Sequence, residues 1–397
     1  MPRPSAINRV PVLVGVLAGA FVGVGCDRGA PLPEVPAPTA HAVEDPMASR
    51  LDPDARGEGP LILAHGGQGS PAARSDGPAD AVERGFALLT DAQSDATAAA
   101  IAVIEVLEDD PRFNAGTGAN LRLDGRTIQA DAALMDDRGH FGAVAGIDGI
   151  RHPILLAQAI AGSPHLLLAG DGALQYGLGL GLEPRALATD VACRKLERGY
   201  EALFAEDPRA RAWADFDWRA RWNFAGAAPE DLAAAQALIA AAEQEALARQ
   251  GEGQEPIEPD RSQDTVGVVV RSGDGRYAAA LSTGGTTLAL RGRIGDVPVL
   301  GAGLYAGPDG AVAATGKGEA IMRERVAAEV YRQLAAGRRP GDAIELAMRS
   351  ITPEEGVGVI AVSDLGWAAR ATSQMAWAAR DQSALYRADT WVQHDGR

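Results

Sequence analysis

Thr265 stands at the mouth of an apolar run, Val266-Gly267-Val268-Val269-Val270, directly after a polar stretch that ends in Asp264. A threonine hydroxyl is a weak nucleophile unless a base sits beside it. One chemical solution is to cut the chain in front of the threonine, so that its own freed α-amine becomes that base. Uncut, Thr265 is an ordinary strand residue. Three later segments carry polar groups in tight spacing: Ser282-Thr283-Gly284-Gly285, Arg293-Ile294-Gly295-Asp296 and Thr315-Gly316-Lys317-Gly318. Taken singly they read as a turn, a surface loop with an ion pair, and a helix start.

The elements around Thr265 give it a partner. Thr265 to Val270 reads as one strand, Ser272-Gly273-Asp274-Gly275 as turn chemistry, and Tyr277 to Thr283 as the returning strand. A hairpin symmetric about Asp274 sets Thr265 opposite Thr283, with Cβ atoms roughly 4.5–5.5 Å apart. A one-residue bulge would destroy that pairing. Upstream, Leu61 to Ala64 reads as a buried strand stopped by His65-Gly66-Gly67. Helical spacing runs from Pro78 to Leu107, its second part N-capped by Asp95. The glycine-rich turn Asn114-Ala115-Gly116-Thr117-Gly118 leads to strands at Ile128–Met135 and Gly142–Gly146. Helix returns at His152–Ala161 and again from His165 onward.

Composition narrows the choices. A chain of 397 residues, 46% hydrophobic with 48 glycines, can build a large α/β core with many close backbone approaches. The formal charge of -16 and the lack of a basic run exclude nucleic-acid binding through a basic surface. Gly310 precedes Gly316-Lys317 by one residue too many for a phosphate loop, and Gly318 takes the place of its Ser or Thr. Gly177-Leu178-Gly179-Leu180-Gly181 lacks the framing strand and acid of a dinucleotide site. The six histidines show no zinc spacing, and there is no G-x-S-x-G elbow.

Four regions follow. Residues 1–26 combine Arg3 and Arg9 with the apolar run Val10 to Val24 and end in Gly25-Cys26, the pattern of an export signal. Cys26 resembles the lipidated cysteine of bacterial lipoproteins, although Gly23 takes the place of the usual leucine-like residue. The expected location is therefore periplasmic or membrane-anchored, with membrane contact only through that lipid. Residues 27–57 read as a Pro/Ala-rich tether. Residues 58–264 form the first half of the body, with a long 186–264 insertion that carries Trp213, Trp218 and Trp222; residues 265–397 form the second half. Cys193 has no histidine near it, and lipidation of Cys26 would forbid a disulfide between the two.

In this order and spacing the motifs resemble the plant-type asparaginase and isoaspartyl peptidase family of N-terminal nucleophile hydrolases. The resemblance is carried by His65-Gly66-Gly67, Phe113-Asn114-Ala115-Gly116-Thr117-Gly118 and Asp131-Ala132-Ala133-Leu134-Met135-Asp136. It continues through Thr265-Val266-Gly267, Ser282 to Gly285, Gly292-Arg293-Ile294-Gly295-Asp296 and Thr315-Gly316-Lys317-Gly318-Glu319, and covers about residues 60–185 and 264–375. It implies an α/β fold, a four-layer αββα sandwich, and self-cleavage between Asp264 and Thr265 into α and β subunits.

By position, the resemblance makes Thr265 the nucleophile, Thr283 its tuning partner, and Thr315 with the Gly316 N–H the oxyanion donors. Arg293 would grip the substrate α-carboxylate and Asp296 the α-ammonium, with Ile294, Gly295, Lys317, Gly318 and Asn114 lining the pocket. His65 is expected to order the first strand rather than to catalyse. No organic or redox cofactor is implied; a monovalent cation near residues 107–118 and a dimer of αβ units are. Departures are Thr286-Thr287-Leu288-Ala289 in place of a Met-Asn-Lys stretch, Val297 for a serine, and Lys317 for a small or polar residue. The implied activity is hydrolysis of β-aspartyl bonds and L-asparagine. The alternatives are a glycosylasparaginase, which Asp264-Thr265 also resembles, and an uncleaved ligand-binding lipoprotein.

Overall fold

The computed structural model describes residues 59–89, 95–185, 189–204 and 265–390, together with Trp213, Phe216 and Ala240 as isolated positions. The export signal, Cys26, the tether, most of the 186–264 insertion (including Trp218 and Trp222) and Asp264 lie outside the described residues. Among the described residues no helix is long and apolar enough to cross a membrane.

Eight strands make one sheet. In sequence order they are β1 (Leu61–Gln68), β2 (Ala130–Asp136), β3 (Phe141–Ile147), β4 (Leu167–Ala169), β5 (Val266–Arg271), β6 (Tyr277–Thr283), β11 (Met375–Asp381) and β12 (Leu385–Arg387). Across the sheet they lie in the order β12-β11-β1-β5-β6-β2-β3-β4. Four more, β7 (Leu304–Gly307), β8 (Gly310–Gly316), β9 (Val357–Ser363) and β10 (Gly366–Ala371), form a second sheet in the order β10-β9-β8-β7. The pairings are antiparallel except for β3 with β4. The helices are α1 (Asp76–Leu89), α2 (Ala96–Asp109), α3 (Pro153–Ala161), α4 (Gly170–Gly179), α5 (Asp190–Phe204), α6 (Gly318–Glu324), α7 (Val326–Ala335) and α8 (Pro340–Ala347).

Strand alternation explains the packing. Val266, Val268 and Val270 of β5 and Ala278 and Ala280 of β6 face a cluster that contains Val82, Ala99 and Ile104 of α1 and α2. Val269, Ala279 and Leu281 face the opposite way, into a cluster with Ala311, Ala313, Ile360 and Val362 of the second sheet. A strand buried on both faces needs the near-continuous apolar run seen in the sequence. The second sheet buries its outer face, Val312, Ala314 and Val359, against Val330 and Leu334 of α7 and Ile344 of α8.

The β5–β6 hairpin forms as expected, with an unbroken register from Val266↔Ser282 to Arg271↔Tyr277. The Asp95 carboxylate caps α2 by accepting the Thr97 N–H at 2.8 Å. Three boundaries differ from the sequence reading. First, β1 does not stop at His65 but continues to Gln68, because His65 still pairs with Gly267 and Trp377, with an irregularity only before Gln68. Second, Ile128 lies outside β2, in an isolated bridge to Leu121. Third, the helix expected from His165 begins only at Gly170, because Leu167–Ala169 pair in parallel with Ala143–Ala145 at the sheet edge.

Gly267 follows from this register. A Cβ there would lie 2.3 Å from His65 Nε2 and 2.5 Å from Leu281 Cδ2. We expect Gly267→Ala to cost about 1–3 kcal/mol through overpacking, read as a lower urea midpoint with an unchanged slope. The loss should shrink in a His65→Ala background, since the two changes share one clash.

Candidate active site

Residues of odd number on β5, β6, β2 and β8 face the space between the sheets, which is where Thr265, Thr283, Asp131 and Thr315 belong. The Thr265 hydroxyl, just before β5, donates to Thr283 Oγ1 at 3.2 Å. Thr283 Oγ1 also accepts the Gly285 N–H at 3.1 Å, which fixes where its remaining lone pair and proton point. From the other sheet, the Thr315 hydroxyl donates to the Thr265 carbonyl at 3.4 Å and accepts the Gln68 N–H at 3.3 Å. All three threonines are buried.

Asn114 approaches from the opposite side. Its Nδ2 donates to the Gly285 carbonyl at 2.6 Å, and Asn120 Nδ2 reaches the same oxygen at 2.9 Å. The Gly284 N–H donates to the Asn114 carbonyl at 2.9 Å. Asn114 thus holds the turn after Thr283.

Gly316 ends β8 with φ +123°, and a Cβ there would meet the Gly356 carbonyl oxygen at 2.1 Å. Only glycine fits, and the chain can then bring Gly318 against the Arg293 loop. At Gly318 a Cβ would lie 2.8 Å from Arg293 Nη2 and 2.9 Å from Asp296 Oδ1. The Arg293 and Asp296 head groups therefore converge on the bare backbone of one glycine, while Thr315, three residues earlier, touches Thr265. The two halves form one site.

Two of the expected pocket residues have visible structural contacts. Ile294 turns its Cδ1 toward Gly146, 3.2 Å from where a Cβ would be. Lys317 contributes its backbone: its N–H donates to the Gly356 carbonyl at 2.9 Å, and it caps α6. Its charge acts on Glu319 and Glu355. The arginine is also not a free fork. Arg293 Nε and Nη2 pair with the two oxygens of Glu319 at 3.0 and 2.9 Å, which leaves Nη1, the end toward Gly295, outside that ion pair.

Several contributors had no strong signal in the sequence. Glu319 stood out only as part of a motif. Asp131, opposite Thr283 in the β2–β6 register, accepts the Gly146 N–H at 2.8 Å and the Gly295 N–H at 3.4 Å, so it ties the Arg293–Asp296 loop to the strand beside Thr283. Arg122 is fully buried beneath Gly285 and donates to the Gln129 carbonyl at 2.7 Å. The resemblance motif contains Asp131 without giving it a role, and nothing local announced Arg122.

Burial dominates the charges here. It pushes the Asp131 carboxyl up and holds the Arg122 guanidinium down to about 10, although each lies in the other's field. Burial also lowers the His65 imidazole to about 3, only partly opposed by the nearby Thr265 backbone, so the ring is neutral at working pH. Asp296 is raised by burial to about 7, against the pull of Arg293, and its Oδ2 has no hydrogen-bond partner. An unfilled carboxylate oxygen beside a guanidinium end suits a zwitterionic amino-acid head. Among the described residues no group of three or more His, Cys, Asp or Glu side chains could hold a metal ion. Cys193 is exposed.

The profile of the asparaginase family matches residues 59–388. The chain is 31% identical over 326 residues to the isoaspartyl peptidase/L-asparaginase of Danio rerio, covering 78% of this chain and 88% of that protein. It is 34% identical over 269 residues to the isoaspartyl peptidase of Salmonella typhimurium, covering 66% and 73%. With the plant-type L-asparaginase of Pyrococcus abyssi it shares 29% over 316 residues, covering 77% and 90%. Such a mixed α/β body with these similarities is a hydrolase. The chain belongs to the asparaginase family.

Asp296 should make the site a liability to stability. Its folded value near 7 exceeds the unfolded value of 3.8, so its contribution is fully present below about pH 4 and is lost as pH rises through 7. Relative to the native protein, Asp296→Asn should therefore gain unfolding free energy between pH 4.5 and pH 8 in urea titrations. An equal difference at both pH values would contradict the assignment.

Proposed function

We propose that this chain is a self-cleaving amidohydrolase that hydrolyses β-aspartyl (isoaspartyl) bonds and L-asparagine, with Thr265 as its N-terminal nucleophile. The observation that carries this reading is the 3.2 Å contact between the Thr265 and Thr283 hydroxyls, with Thr315 facing them from the second sheet. The names of the relatives support the substrate class.

In the first reaction the Thr265 hydroxyl attacks the carbonyl of Asp264, the acyl group moves from nitrogen to oxygen, and water hydrolyses the resulting ester. The products are a carboxylate at Asp264 and a free α-amine at Thr265. In the second reaction that amine takes the hydroxyl proton as Oγ1 attacks the β-carbonyl carbon of the substrate. The Thr315 hydroxyl and the Gly316 N–H hold the oxyanion, a role typically worth about 2.7–4 kcal/mol per donor. Collapse returns the proton to the leaving amine and leaves an acyl ester on Thr265. Water then attacks this ester, its proton passing to the same amine; as the acyl–oxygen bond breaks, the amine returns that proton to Thr265 Oγ1 and L-aspartate departs. Throughout, Arg293 holds the α-carboxylate through Nη1, its end toward Gly295, Asp296 accepts the α-ammonium, and Glu319 keeps the guanidinium oriented.

The apolar contacts of the two sheets with each other and with helices on their outer faces support an αββα sandwich, divided after cleavage into subunits 58–264 and 265–397. Export by residues 1–26, with a lipid at Cys26, belongs to the same reading and rests on sequence pattern. The loop 107–118 fits a monovalent cation. The carbonyl oxygens of Glu108, Pro111 and Phe113 crowd its glycines within 3 Å of where Cβ atoms would be at Gly116 and Gly118. Such a cation would brace the loop that carries Asn114. Leu166, Leu167 and Leu180 are exposed around the short edge strand β4, and an apolar sheet edge is a pairing surface.

Three measurements check this. After incubation, a denaturing gel with N-terminal sequencing should give a fragment beginning Thr265-Val266-Gly267; persistence of intact chain alone would sink the reading. Thr265→Ala should stay full length and hydrolyse neither β-aspartyl dipeptides nor L-asparagine. Light scattering should give the mass of two αβ units, and Leu167→Lys should shift it toward one.

A further inference from the structure

Helix α5, in the long segment that precedes Thr265, is built into the wall behind the hydroxyl pair. Leu196 and Tyr200 are fully buried in one apolar cluster with Leu123 and Leu288. The Tyr200 hydroxyl donates to the Leu123 carbonyl, and the Leu123 N–H donates to the Ala289 carbonyl at 2.9 Å. Gly199 presents bare backbone to Leu288: a Cβ at Gly199 would lie 3.0 Å from Leu288 Cγ. The helix therefore docks directly on the segment that follows Thr283-Gly284-Gly285.

Leu288 is the informative residue. Its φ is +68°, and among the described residues only Arg325 is another non-glycine with positive φ. A residue with a Cβ holds the left-handed region only where its surroundings over-determine it. Asparagine tolerates that region through its short polar side chain; leucine does not. What holds Leu288 is burial, and the burying surface includes α5. Three residues earlier, the Gly285 N–H fixes Thr283 Oγ1, which accepts the Thr265 hydroxyl.

We propose that α5 is a clamp on the active-site turn. By burying Leu288 it fixes residues 284–290 and, through the Gly285 N–H, the orientation of the Thr283 hydroxyl toward Thr265. Leu288 and Tyr200 are positioning residues. The helix stays docked after the bond before Thr265 is cut, so part of the insertion belongs to the mature enzyme. The effect on turnover rests on the function proposed above; the docking and ordering of the turn do not.

The test uses the full chain and two variants, Leu196→Ala/Tyr200→Ala and Leu288→Gly; glycine keeps the backbone conformation but removes the anchor. In both, limited proteolysis should now cut within α5, and hydrogen exchange of peptides spanning 283–290 should rise at least tenfold. The kcat for a β-aspartyl dipeptide should fall about tenfold to a hundredfold, as for a misaligned reacting group, with KM within twofold because Arg293 and Asp296 are held separately by Asp131 and Glu319. Tyr200→Phe, which keeps the ring, should restore most of kcat. Continued protection of α5 in both variants overturns the clamp, and so does a cut helix with exchange or kcat within twofold of the native protein. If the native chain itself fails to hydrolyse β-aspartyl substrates, the proposed activity falls, while the exchange measurement still decides the clamp.

Discussion

The unbroken pairing of β5 with β6 is the constraint on which the remaining chemistry depends. A strand repeats its facing every two residues, so a slip of one would send Thr283 toward the helices and bring Ser282 into its place. Ser282 is already committed there: its hydroxyl donates to the buried Glu108 at 2.6 Å, and the same carboxylate receives the Ile154 N–H. Glu108 thus acts as a register pin, since a slipped strand would leave a buried carboxylate with one partner fewer. On the other face Thr283 Oγ1 accepts the Thr265 hydroxyl and the Gly285 N–H. Polar residues on both sides of one strand hold it against sliding in a way that the uniform valines and alanines around them do not.

The site is also expensive in electrostatic terms. Asp131, Asp296 and Arg122 are all buried, and for each the cost of desolvation outweighs the attraction of its neighbours. Large apolar cores between and outside the sheets offset these losses. A fold stabilised elsewhere can hold polar groups in an arrangement that only a ligand completes.

Much of this arrangement was legible in the sequence because it depends on local periodicity. Valine and alanine runs marked β5 and β6, turn residues fixed the hairpin, and counting from Asp274 placed Thr283 beside Thr265. The convergence of Arg293, Asp296 and Gly318 came through family resemblance, since their meeting depends on chain paths that no local pattern encodes. What escaped was non-local or short. The three-residue β4 looked helical because it runs straight into α4, and only its partner β3 makes it a strand. Ile294 sits in a motif, yet its side chain turns toward Gly146. Arg122 looks like any surface arginine until the turn at Gly285 closes over it.

The pairing of Arg293 with Glu319 has a consequence beyond orientation. Glu319 is half exposed to solvent, so this ion pair extends from the buried pocket to the surface. Surface charges feel dissolved ions, whose screening length at physiological ionic strength is about 8 Å. The inner end of the guanidinium is sheltered; the outer end is not. Rising ionic strength therefore loosens the outer hold first, freeing the arginine to reorient while the buried acids beneath it stay in place. Under the proposed function, the grip on a substrate carboxylate is thereby coupled to the saltiness of the medium around the molecule.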